Sequence, residues 1–158
     1  NLIFNENKLK DFDTRFKVLP PLRTEKDRLA LIEGVKSGDI DLVTSDHCPI
    51  DVENKKTDID NALYGTIGLE SFYGALLSLF NLEESINILT KGRKIFNIKD
   101  VEFKEGSTAN LSLFTICKEY IFSKEHIFSK SKNSAFLGYK MRGKPIGIIN
   151  SNKTYINE

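Results

Sequence analysis

A largely apolar run, Ile40 to Val43, ends in the small polar pair Thr44-Ser45 and then in Asp46-His47-Cys48-Pro49-Ile50. Apolar residues followed at once by ionisable ones are the pattern of a buried parallel strand that delivers reactive groups at its carboxyl end. The segment before it predicts a helix. Thr24 is its N-cap, Asp27 the capping-box partner, Leu29, Ile32 and Val35 repeat on one face, and Ser37-Gly38 ends it. Helix, tight turn and strand make one unit of an alternating α/β fold, and Pro20-Pro21 keeps the helix from extending backwards.

Upstream, residues 1–18 read as a loop or short helical turn leading to an extended Phe16-Lys17-Val18-Leu19. Downstream, residues 51–61 are polar without a period that would bury anything, so they predict a surface loop beyond the strand end. Lys55 and Lys56 within it read as solvating charges, as do Lys8 and Lys10. Tyr64-Gly65-Thr66-Ile67-Gly68 closes the loop. Leu69 to Phe80 predicts an apolar helix that needs partners around it, and Leu82 to Lys91 a second one stopped by Gly92, with Arg93 to Phe96 as one further turn. After Asp100 the texture becomes that of a small β module, with strands at 109–114, 136–137, 139–141, 146–149 and 154–156 and a Ser/Lys/Asn-rich loop at 123–133. The organisation expected is residues 1–100 as one part and 101–158 as the other.

Charge excludes some functions. Lys plus Arg total 23 against 22 Asp plus Glu, so no long-range field favours nucleic acid or an anionic membrane. No run approaches the length of a membrane span. Two cysteines, Cys48 and Cys117, are too few for a disulfide framework and fit a reducing, cytoplasmic interior. The chain opens on Asn1, without an initiator methionine or signal peptide, and reads as though residues precede it.

An aspartate leaving the end of a buried strand is a candidate metal ligand or general base, and His47 beside it a ligand or electrostatic helper. The alternative is that Asp46 caps the following turn and His47 is a satisfied core histidine. His126, the other histidine, lies far off in the polar loop, so a metal site built by this chain alone is not expected. Cys48 reads as a structural thiol, because its histidine neighbour points to the opposite side of an extended segment. Arg23 is either a carboxylate-binding guanidinium or a solvated arginine near a helix start. Tyr64-Gly65 either approaches a ligand through its backbone or makes a plain turn.

Three segments together carry a resemblance. Pro20-Pro21-Leu22-Arg23 with its following helix, Thr44-Ser45-Asp46-His47-Cys48-Pro49, and Tyr64-Gly65-Thr66-Ile67-Gly68-Leu69-Glu70 resemble the carboxyl-terminal part of a dihydroorotase of the cyclic amidohydrolase superfamily. Residues 106–111 and 129–138 resemble that family's ending. The resemblance implies a fold class of α/β type: the C-terminal part of a metal-dependent hydrolase (β/α)8 barrel, holding its last strand and helices, plus a small β-sandwich module. It implies hydrolysis of a cyclic amide, interconverting N-carbamoyl-aspartate and dihydroorotate in pyrimidine biosynthesis, with zinc held by Asp46 and by ligands upstream of residue 1. In that family Asp46 is both metal ligand and proton shuttle, and Tyr64 and Gly65 match a pair whose backbone meets the pyrimidine ring. The partners implied are a small-molecule substrate, the remainder of the same chain, and a second copy or aspartate carbamoyltransferase. Two positions depart from the family: Leu19 stands where an asparagine contacts substrate, and Ile50 where a histidine does. Those departures motivate a second expectation, a non-catalytic homologue serving as structural partner of aspartate carbamoyltransferase. A hydantoinase- or allantoinase-like hydrolase is a third. For the 158-residue chain alone, no activity is expected.

Overall fold

The computed structural model describes residues 1–99, 101–116 and 118–157, so Cys117 lies outside the described residues. The chain folds as two compact units, one of residues 1–72 with 121–139 and one of residues 73–120 with 140–158.

In the first unit, 3-10 turns at Glu6–Leu9 and Thr14–Phe16 precede helix α1, Glu25–Ser37. Thr24 and Asp27 cap α1 reciprocally, and Gly38 ends it at φ 87°, a left-handed conformation that favours glycine. Phe4, Phe16, Leu22 and Ala135 form the core here, with Phe136 and Tyr139 packed against it. The Phe4 and Phe16 rings meet edge to face with centroids 5.1 Å apart, a geometry the aromatic quadrupole favours. The core therefore joins the start of the chain to residues far along it.

Two strands expected in this unit are absent. Residues 40–43 carry no ladder, because a parallel strand exists only beside a neighbour and none of the described residues supplies one. The segment is fastened instead by the Ile40 N–H, which donates to the Gly34 carbonyl at 2.9 Å. Phe136-Leu137 lies in a turn, where the Tyr139 N–H donates to the Phe136 carbonyl and Gly138 adopts φ 83°.

Helix α2, Leu69–Leu77, starts in the first unit and ends in the second, three residues short of the expected Phe80. Helix α3, Leu82–Ile95, is capped by Asn81 and Glu84 and runs through Gly92 to the further turn. A glycine inside a helix costs only about 1 kcal/mol, which a capped fourteen-residue helix tolerates. The strands among the described residues are β1 (Asn110–Phe114), β2 (Glu119–Ile121), β3 (Lys140–Arg142), β4 (Pro145–Asn150) and β5 (Lys153–Ile156), all in the second unit except Ile121. They form an antiparallel sheet in the order β1-β4-β5 and a separate β2-β3 pair. β2 escaped the sequence reading because its three residues are too short to show alternation. Among the described residues no helix is long and apolar enough to cross a membrane.

Candidate active-site segment

The Asp46 stretch packs against residues 64–69 within the first unit. The Cys48 N–H donates to the Thr66 carbonyl at 2.9 Å. Two glycines permit this approach. A Cβ on Gly65 would stand 2.8 Å from Ile50 Cγ1 and 2.9 Å from the Cys48 carbonyl oxygen, and its φ of 137° disfavours any side chain. A Cβ on Gly68 would collide with the Ser45 carbonyl. A third segment closes the group: the Ile67 N–H donates to the Asn133 carbonyl at 3.0 Å, Asn133 Nδ2 to the Gly65 carbonyl at 3.2 Å, and Ser131 Oγ to the Ile50 carbonyl at 2.6 Å. Isolated main-chain bonds and side chains thus do together the work that a strand ladder does elsewhere.

Asp46 itself is exposed and sits at φ 45°, in the left-handed region. Aspartate tolerates that region better than most residues, and residues held there concentrate at functional sites. Its neighbour His47 is pinned. Nδ1 of His47 accepts from the N–H groups of Gly68 and Leu69, both at 3.2 Å, where α2 begins. Both amides aim at Nδ1, so the lone pair of that nitrogen faces the start of α2. Glu70 Oε2 lies 3.9 Å from the same nitrogen; with the lone pair there, this is a close approach and not an ion pair.

Glu70 ends the motif that begins at Tyr64. Its Oε1 accepts from the Ser129 N–H at 2.8 Å and from Ser129 Oγ at 2.5 Å, while Oε2 is buried with no hydrogen-bond partner among the described residues. Burial pushes its carboxyl up, but the hydrogen bonds from the Ser129 hydroxyl and N–H outweigh it and hold the group below its ordinary value. The available signal was a lone acid at the start of an apolar helix, where the helix dipole favours negative charge. Its partner lies 59 residues away and left no local trace.

The other expected site residues separate. Tyr64 and Gly65 are in the packed segment; Tyr64 is half exposed, with the Lys17 ammonium 4.7 Å from its ring centroid. Arg23 is exposed, its carbonyl accepts the Glu6 N–H and its charge acts on Asp27; no contact described here joins it to Asp46, Tyr64 or Gly65. Cys48 is an exposed free thiol. Leu19 is exposed, while Ile50 turns its Cγ1 toward Gly65. Among the described residues no group of three His, Cys, Asp or Glu side chains could hold a metal ion. A zinc ion therefore does not fit the described residues by themselves, among which Asp46 offers one carboxylate.

No family model matches the chain. It is 39% identical over 140 residues to a protein named dihydroorotase from Caldicellulosiruptor saccharolyticus, covering 84% of this chain and 33% of that protein. A Bacillus subtilis protein of the same name is 33% identical over 165 residues, with 100% of this chain and 39% of the relative covered. The chain thus spans about a third of the length of these curated relatives. Among solved structures, L-hydantoinase (dihydropyrimidinase) from Arthrobacter aurescens superposes with a TM-score of 0.86 at 24% identity, over 99% of this chain and 37% of that one. Dihydroorotase from Saccharomyces cerevisiae, in complex with 5-fluoroorotic acid, does so with a TM-score of 0.68 at 17% identity, over 91% and 40%. Those two likenesses show the fold: over nine-tenths or more of its length the chain follows the backbone of a segment of each of these proteins.

Proposed function

This chain is kin to the dihydroorotases along a stretch about a third of their length, and on that premise we propose that it acts as the C-terminal portion of a dihydroorotase-like cyclic amide hydrolase. In this reading residues 1–100 complete a (β/α)8 barrel, residues 101–158 form its β-sandwich module, and the reaction interconverts N-carbamoyl-aspartate and dihydroorotate in the cytoplasm. Zinc, which these residues do not hold alone, would be completed by ligands outside this sequence, with Asp46 as one of them. What the chain's own residues contribute is narrower. In this reading the Asp46 carboxylate, exposed and adjacent to an anchored His47, takes a proton from the attacking water and gives it to the nitrogen that leaves as the cyclic C–N bond breaks. Tyr64-Gly65 presents backbone to the ring of the substrate, and Arg23 is the weaker candidate for its carboxylate.

The observation that carries the reading is the conformation of Asp46, a non-glycine residue at φ 45° whose successor is tied to the first amides of α2. The test is dihydroorotate turnover by the full-length protein. Asp46→Asn preserves shape and removes the proton acceptor, and a loss of at least about 100-fold in kcat is expected. A wild-type protein that binds no zinc and turns over no dihydroorotate overturns the enzyme reading.

One observation favours a second reading. Ile50 lays an apolar side chain against Gly65, and Leu19 exposes another apolar side chain, so two positions that resemble polar substrate contacts offer none. A non-catalytic homologue that partners aspartate carbamoyltransferase would tolerate both. Co-purification of an inactive protein with that enzyme supports this reading. Turnover of hydantoin in place of dihydroorotate would favour a hydantoinase instead.

A further inference from the structure

Lys55 stands in the polar loop beyond the Asp46 stretch, where the sequence reads as solvating charge, yet it is only 5% exposed. Its Nζ donates to the carbonyls of Thr14 at 3.1 Å and Lys17 at 2.9 Å, and the Thr14 hydroxyl donates back to the Lys55 carbonyl. The Lys17 carbonyl also accepts the Gly65 N–H, at 3.1 Å. One oxygen thus holds both the buried ammonium and the glycine amide. Lys17 adds its own ammonium, which donates to the carbonyls of Ile59 at 2.6 Å and Asp60 at 3.0 Å beneath the Tyr64 ring.

We propose that Lys55 is a positioning residue for the Tyr64-Gly65 substrate contact, acting through the Lys17 carbonyl. The proposal rests on reading that pair as a substrate contact. Gly65 has no side chain to hold its peptide, and at φ 137° it occupies a region where glycine is unrestrained. Its orientation is therefore set by what its N–H and carbonyl meet: the Lys17 carbonyl on one side and Asn133 Nδ2 on the other. A charged donor makes hydrogen bonds roughly twice as strong as a neutral one, so Lys55 fixes the Lys17 peptide that Gly65 leans on. Burial and the neighbouring Lys17 charge hold the Lys55 ammonium below its ordinary pKa, as a desolvated cation requires. A lysine that merely glued the loop down would not need to share its acceptor with the glycine.

Amide-resolved hydrogen exchange on the full-length protein separates the two roles. Lys55→Met keeps an unbranched chain one atom shorter and removes the donor. Exchange at the Gly65 amide should rise about tenfold, while the Ile67 amide, bonded to the Asn133 carbonyl and sharing no acceptor with Lys55, stays within about twofold. KM for dihydroorotate should rise about tenfold with kcat within about twofold, and Lys55→Arg, which keeps a charged donor, should recover most of it. Equal acceleration at both amides, an unchanged Gly65 amide, or a fall in kcat at constant KM overturns the proposal. If Lys55→Met does not fold, Thr14→Val, which deletes only the returning hydrogen bond, should raise Gly65 exchange about threefold on the same terms. A wild-type protein without turnover counts against the proposed function, and the two amides still decide the role of Lys55.

Discussion

The packed segments of the first unit and the β1-β4-β5 sheet of the second satisfy their backbones in opposite ways. In the sheet, register does it: Leu111 faces Ile149 and Ile149 faces Thr154, each pair part of an antiparallel ladder. Around Asp46, single bonds between separate segments do it: the Cys48, Gly65 and Ile67 amides each meet one carbonyl, and the side chains of His47, Thr66, Ser131 and Asn133 each supply or receive a bond to main chain. A ladder averages over many equivalent contacts and tolerates a changed side chain. A set of unique contacts does not, and that is the arrangement expected where atoms must be held for chemistry.

The sharpest way to break this comparison is Gly65→Ala. The added methyl meets Ile50 Cγ1 at 2.8 Å and the Cys48 carbonyl oxygen at 2.9 Å, on a backbone of φ 137°. Strain and overpacking together should cost about 3 kcal/mol, read by denaturant titration. A loss below about 1 kcal/mol would show that the segment yields as a ladder does.

Glu70→Ala comes next. It leaves the Ser129 N–H and hydroxyl without their acceptor, which should cost about 2 kcal/mol. Glu70→Gln keeps one acceptor oxygen and isolates the charge. Against burial, the Ser129 bonds hold the folded carboxyl below its ordinary value of 4.5. The stabilisation is therefore complete above pH 4.5 and is lost as pH falls below it through the folded value. Wild type should lose stability relative to Glu70→Gln across that acid window; parallel curves would remove Glu70 from the account of acid unfolding.

How much of this was legible differs between the regions for the same reason. The capping boxes of Thr24 with Asp27 and Asn81 with Glu84 lie three residues apart, so local rules reach them, although only the first was read as such. The alternation of half-buried Leu111 and Leu113 with exposed neighbours is likewise a local period. The motif around Asp46 was visible as a motif, but its supports were not. Ser129 meets Glu70 across 59 residues and Lys55 meets Thr14 across 41, distances over which no pattern in one sequence speaks. Lysine is rarely buried, so composition pointed Lys55 outward. Residues 40–43 show the converse failure: the apolar run predicts a strand, but a strand also needs a neighbour, which the run cannot supply.

The smallest effect is expected on the exposed face of the sheet, where Ile148 stands opposite Tyr155 in the β4-β5 register and both side chains are more than half exposed. Cross-strand pairs of an aromatic and a β-branched residue contribute about 0.2–1 kcal/mol. Tyr155→Thr introduces a β-branched residue suited to a strand and leaves the ladder bonds in place. Its cost should stay under about 1 kcal/mol, because only the pair's contact is lost. A double-mutant cycle with Ile148→Thr measures that contact directly, and a coupling near the few kcal/mol expected of Gly65 would mean that this face is held as tightly as the Asp46 segments. A coupling within the expected range keeps the distinction: the sheet's stability is spread along its ladder, whereas the Asp46 segments concentrate theirs in a few irreplaceable atoms.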